Sequence, residues 1–147
     1  MQQNGKATRD VLIARWSEIG DKVVALAAEF PAERYDFTPV AGVRAFGDQL
    51  RHVAFWNAYV GKTLRREEAD GAANELPRDE FESKESVVRA LRGSFDEVAA
   101  ALAEGEATPE TADLDSLVSF LEHGGEHYGQ LVVYYRLAGL VPPASRG

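Results

Sequence analysis

The sequence predicts an all-α protein, a four-helix bundle, and three observations predict it. Apolar residues recur at steps of three and four along four segments, the period of a helix with one buried face. Polar stretches carrying proline or glycine separate those segments, as connections between helices do. No stretch reads convincingly as a strand, and there is no internal repeat or low-complexity run.

The first helix is expected from about Thr8 to Phe30, with Val11, Leu12, Trp16, Ile19, Val23, Leu26, Ala27 and Phe30 inward. Thr8 can cap its start, and Pro31 ends it. Residues 31–44, PAERYDFTPVAGVR, form a loop with two prolines and a glycine. The second helix is expected from Ala45 to Glu68, on the stripe Phe46, Leu50, Val53, Val60 and Leu64, interrupted by Asn57; Gly47 and Gly61 weaken its propensity slightly. The loop DGAANELPRD, residues 70–79, follows. At roughly 3.3 Å per residue it can cross the end of a bundle or run back along a helix. The third helix is expected from Ser83, a suitable cap, to Ala103, with Val87, Val88, Leu91, Phe95, Val98 and Leu102 inward. After the polar loop 104–113, the fourth runs from Leu114 to Ala138 with Leu117, Phe120, Leu121, Gly124, Tyr128, Leu131, Tyr135 and Ala138 inward. Gly139 and the pair Pro142–Pro143 are its stop signals. Residues 1–147 thus read as one helical domain, with 139–147 as a short tail.

Composition narrows the function. Apolar residues are 45% and charged residues 27% of the chain, ordinary values for a globular domain. No cysteine is present, which excludes disulfides, thiolate metal sites and a cysteine nucleophile. The net charge is −8 with scattered basic residues, whereas a nucleic-acid or anionic-membrane partner needs a positive stripe. The start, MQQNGKATRD, lacks the apolar core of a signal peptide, and no apolar run is long enough to span a bilayer. The expected location is cytoplasmic.

The chain contains three histidines. His123 and His127, in LEHGGEHYGQL, are four apart on one helix, so their directions differ by roughly 40° and both rings can converge on one point. Such a pair chelates zinc, nickel, copper or iron but leaves a divalent ion short of ligands. His52, in QLRHVAFWN, is the natural third: it flanks the apolar stripe of the second helix, beside Gln49, Trp56 and Tyr59. Three nitrogens with an open fourth position make a catalytic zinc pattern. Spacing alone leaves open the plainer reading, in which each histidine is a surface or hydrogen-bonded residue.

Rival motifs fail on the residues. HGGEH fits the H-x-x-E-H pattern of inverted zinc proteases, but no acidic residue follows Glu126 to serve as the downstream ligand. Di-iron bundles need Glu-x-x-His pairs, and Gln49, Phe120 and Gly124 occupy those positions. H-E-x-x-H, G-x-S-x-G, P-loop and G-x-G-x-x-G motifs are absent.

Three stretches together carry a family resemblance. They are YDFTPVAGVRAFGDQLRHVAFWN (35–57), SKESVVRALRGSFDEVAAAL (83–102) and EHGGEHYGQLVVYYRLAGLVPP (122–143). The chain resembles the DinB/YfiT-like metal-binding bundles over nearly its whole length, and each histidine falls where that family places a ligand. The resemblance implies an up-down-down-up bundle, with the 69–81 loop as crossover. It also implies zinc or nickel on His52, His123 and His127, and often a homodimer. Some relatives are thiol-dependent transferases or isomerases. Ala45 departs from the serine or threonine cap common before the second helix, which bears on that helix start.

Two functions follow as expectations. One is a metal-dependent thiol S-transferase, in which the ion binds a low-molecular-weight thiol and lowers its pKa for attack on a small electrophilic substrate. The other is a non-catalytic metal or small-ligand binding protein of a stress response. Gln130 and Tyr134 share the histidine side of the fourth helix and could line a pocket, as could Trp56; Glu126 reads as a solvated surface acid.

Overall fold

The computed structural model describes residues 7–147. The reading of the N-terminal segment therefore lies, for its first six residues, outside the described part. Four helices carry the fold: α1 (Thr8–Glu29), α2 (Phe46–Leu64), α3 (Lys84–Glu104) and α4 (Thr111–Leu137). Two short 3₁₀ turns, Ala32–Arg34 and Pro143–Ser145, complete the secondary structure, and no strand occurs among the described residues.

Each helix packs on two neighbours, α1 on α3 and α4, and α2 on α3 and α4. Their directions follow from bonds between ends. Arg65, after α2, pairs with Glu97 and Glu104 at the end of α3, while Arg51 near the start of α2 donates to the carbonyl of Phe81 before α3. These two helices therefore run parallel. The start of α1 meets the end of α3 through Arg9 N–H and Ala107 O, and Gln49 of α2 meets Gln130 of α4. A parallel α2–α3 pair needs a connection that returns the full length of α2, and residues 65–83 make it.

The core holds most of the expected inward positions, including Trp16, Val23, Leu26, Phe46, Leu50, Val53, Val60, Leu91, Val98, Leu117, Leu131 and Tyr135. Phe30 stacks on Phe46 with ring centroids 3.7 Å apart. The hydroxyls of Tyr35 and Tyr135 donate to Ala27 O and Leu26 O. Ala27 O lies in the last turn of α1, where Pro31 offers it no N–H, while Leu26 O also accepts from Phe30 N–H. Asn57, the polar interruption in the α2 stripe, is buried and donates to Ser94 Oγ at 3.1 Å.

Several expected boundaries shift. Thr8 is the first helical residue rather than the cap; Ala7 is the N-cap and makes no side-chain cap bond. Val11 is 44% exposed, not inward, because it begins the outer row that continues through Arg15, Glu18 and Lys22. At α2, Phe46 N–H donates to Phe37 O and Gly47 N–H to Tyr35 O. Loop carbonyls thus serve the helix start that Ala45 cannot cap with a side chain.

The second helix stops at Leu64, four residues before the expected Glu68. Arg66 turns left-handed at φ 61°, and Glu67 N–H bonds to Lys62 O while Arg66 N–H bonds to Thr63 O. This is a Schellman ending with arginine where glycine is usual. The Arg66 guanidinium is held by both carboxylate oxygens of Asp113, at 2.7 and 3.0 Å. Asp113 in turn sits in a polar first turn that α4 adds ahead of the expected Leu114. At the other end of α4, Gly139 adopts φ 77° and gives the expected stop.

Candidate metal centre

The three histidines meet in the groove between α2 and α4. One ring nitrogen from each lies within 4.8 Å of the others. His52 and His123 approach Nε2 to Nε2 at 3.1 Å. His52 is 8% and His127 7% exposed; His123 is half-buried. Helical geometry produces the convergence: His123 and His127 occupy successive turns of one face, and antiparallel packing of α2 brings His52 opposite them.

Two of the three outward nitrogens are already engaged. His52 Nδ1 lies 2.7 Å from the carbonyl oxygen of Asn74. A carbonyl only accepts, so Nδ1 carries the proton and Nε2 keeps its lone pair. His127 Nδ1 faces Gln49 Oε1 at 2.5 Å, which fixes the same tautomer. The Gln49 amide is oriented in turn by donation to Gln130 Oε1 at 2.9 Å. His123 Nδ1 is buried without a partner.

Burial holds all three rings neutral. It lowers the His52 pKa. It pushes His123 down to about 4 and His127 to about 3, with neighbouring histidines and Arg44 adding to the effect. Neutral imidazole with a free lone pair is the form that binds a metal. Two imidazole nitrogens each about 2.0–2.1 Å from a tetrahedral ion stand roughly 3.3 Å apart, close to the 3.1 Å between His52 and His123. By the tautomers of His52 and His127, and by the His52–His123 spacing within a trio that lies inside 4.8 Å, the residues are compatible with a divalent ion.

The crossover loop contributes what sequence reasoning missed. Asn74 stands at φ 63°, a conformation asparagine tolerates better than most residues. It offers its carbonyl to His52 and its Oδ1 to Trp56 Nε1–H at 2.9 Å. Leu76 N–H bonds to Arg51 O, so the loop runs back along α2. A Cβ on Gly71 would lie 2.8 Å from Trp56 Cη2; the bare backbone lets the loop lie against that ring. Only the loop's Asn, with its tolerance of a left-handed backbone, hints at this role in the sequence.

Along the groove the histidines separate two environments. On one side Trp56 packs near Tyr59 and Phe120, with ring centroids 5.1 and 6.1 Å away, and Phe120 meets His123 edge-on at 6.0 Å. On the other is a cleft of about 710 Å³ lined by Gly42, Val43, Arg44, Gln49, Glu75, Gln130 and Tyr134. The expected pocket positions Gln130 and Tyr134 both line it, whereas Glu126 is exposed. No helix among the described residues is long and apolar enough to cross a membrane.

Comparison with known families gives one match. A family model described as the DinB superfamily matches residues 15–131, a span that includes all three histidines. No curated protein matches the chain.

Proposed function

The chain belongs to the DinB superfamily, and from that premise we propose that it is a metal-dependent enzyme whose centre is a divalent ion, zinc or nickel, on His52, His123 and His127. The observation that carries the reading is the convergence of three imidazoles within 4.8 Å, two of them turned toward one another by Asn74 and Gln49. Bound there, the ion would act as a Lewis acid and lower the pKa of a coordinated thiol or water.

The protein's own residues do the positioning. Asn74 O and Gln49 Oε1 hold the rings in the ligand tautomer, an arrangement that raises ligand basicity and fixes ring direction. Trp56 and Phe120 cover one side with apolar surface, which excludes water. The cleft on the other side leaves room for a small molecule, within the usual range of ligand sites of about 300–1,000 Å³. The potential donor group numbers three among the described residues. That favours an open coordination position over the fully ligated ion of a structural or storage site.

The reading takes a low-molecular-weight thiol and a small electrophile as substrates, by likeness to thiol-dependent relatives, and a homodimer as the assembly. Elemental analysis tests the centre first: one equivalent of metal per chain is expected, and none after His127→Ala. A His127→Ala protein that retains a full equivalent would overturn the ligand assignment. Turnover of thiols with electrophile panels tests the chemistry; metal-independent turnover, or none with any thiol, would contradict it. Analytical ultracentrifugation tests the dimer.

A further inference from the structure

The cleft beside the histidines holds a cation whose hydrogen bonds are incomplete. Arg44 closes the loop before α2, and its Nε is buried without a hydrogen-bond partner. The nearest acid, Glu75, stands 3.9 Å from that nitrogen, beyond hydrogen-bond reach. A buried donor left unpaired is costly, more so on a charged group. The backbone of Arg44 is meanwhile pinned, since Tyr134 Oη–H donates to its carbonyl at 2.6 Å. The backbone is therefore fixed, and the side chain, 35% exposed and paired at 3.9 Å with Glu75, keeps one buried donor, Nε, that the fold leaves without an acceptor.

The rest of the cleft suits an anion's oxygen atoms. Gln130 spends its Oε1 on Gln49, and no acceptor among the described residues takes its Nε2 hydrogens. Gln49 lines the cleft and accepts from His127 Nδ1, so the cleft adjoins the three-histidine centre.

We propose that the cleft binds the carboxylate of a small organic ligand, with Arg44 as its partner, so that the ligand's other end reaches the three-histidine centre. This rests on the metal reading above and adds the substrate class: a small carboxylate whose second donor group binds the metal. Arg44 is then a specificity-determining residue. Glu75, as the only acid in the cleft lining, competes with the ligand for Arg44.

The test uses protein loaded with cobalt(II), titrated with 3-mercaptopropionate and with 2-mercaptoethanol while the sulfur-to-cobalt charge-transfer band is followed. The ratio of the two Kd values is compared between proteins, which cancels the thiols' own differences. The wild type should favour the carboxylate by about tenfold or more, the worth of a charged hydrogen bond. Arg44→Gln should bring the ratio to the level of charge repulsion or indifference while still binding cobalt. Arg44→Lys should keep part of the preference, and Glu75→Gln should increase it. That opposite sign separates recognition from mere disturbance of the loop. An equal ratio in wild type and Arg44→Gln, or the same loss in Glu75→Gln, would overturn the proposal and leave the metal reading standing. A wild type that binds no cobalt would overturn both.

Discussion

Replacing Gln49 by leucine isolates the support of one ring from the ring itself. Gln49 is 4% exposed and its Oε1 accepts from His127 Nδ1 at 2.5 Å. Leucine is of similar volume and leaves the α2–α4 contact filled, but His127 loses the buried acceptor for its N–H. Such a loss costs about 1–3 kcal/mol. Gln130, which loses its bond from Gln49, also lies within hydrogen-bond reach of His127, but it is exposed and shares any acceptor it offers with water, so the ring loses its buried partner. Metal affinity should drop about 10- to 100-fold. Gln49→Glu, which supplies a stronger acceptor, should retain or raise it. Competition against a chromophoric chelator measures both, with circular dichroism confirming the helices. A folded Gln49→Leu protein that binds metal as tightly as the wild type would refute the claim that Gln49 orients His127.

Three further outcomes follow from the packing and electrostatics. In metal-free protein the folded pKa of His123 is about 4 and of His127 about 3, with His52 also lowered. The unfolded chain therefore takes up protons first: stability is complete above pH about 6.5 and falls below it, by at most about 1.4 kcal/mol per pH unit per histidine. Urea midpoints of chelator-treated protein should decline from pH 7 to pH 5, and equal midpoints would contradict the burial of neutral rings. Gly20→Ala places a Cβ 2.9 Å from Phe95 Cγ and Cδ1; overpacking of about 1–3 kcal/mol against a helix-propensity gain of about 1 leaves a net loss of up to about 2 kcal/mol. An unchanged midpoint would show slack between α1 and α3. At Arg66, φ 61°, a glycine should give a protein more stable than an alanine does by about 1 kcal/mol; the reverse order in denaturant titrations would contradict the left-handed ending of α2.

The helices were legible because their buried faces repeat at helical spacing, and the misreadings mark where that signal ends. Val11 is apolar and in register by eye, yet it heads the row of Arg15, Glu18 and Lys22 on the outer face. Nothing near Arg66 announces a stop, because the usual glycine is replaced by an arginine held by an acid 47 positions further along the chain. The first turn of α4 is polar and leaves no periodic trace. The histidine trio was legible by spacing on α4 and by family likeness for His52. Its supports were not: Asn74 acts through a backbone carbonyl, which any residue could supply, and Gln49 acts through a contact 78 positions away in sequence. Arg44 is likewise unremarkable until the fold buries its Nε.

Anomalous diffraction from crystals grown with zinc or nickel addresses the metal centre itself. A single peak about 2.0–2.1 Å from one nitrogen of each of His52, His123 and His127 is the predicted result. A fully exposed peak elsewhere, or no peak among these rings in protein that elemental analysis shows to be loaded, would contradict the account.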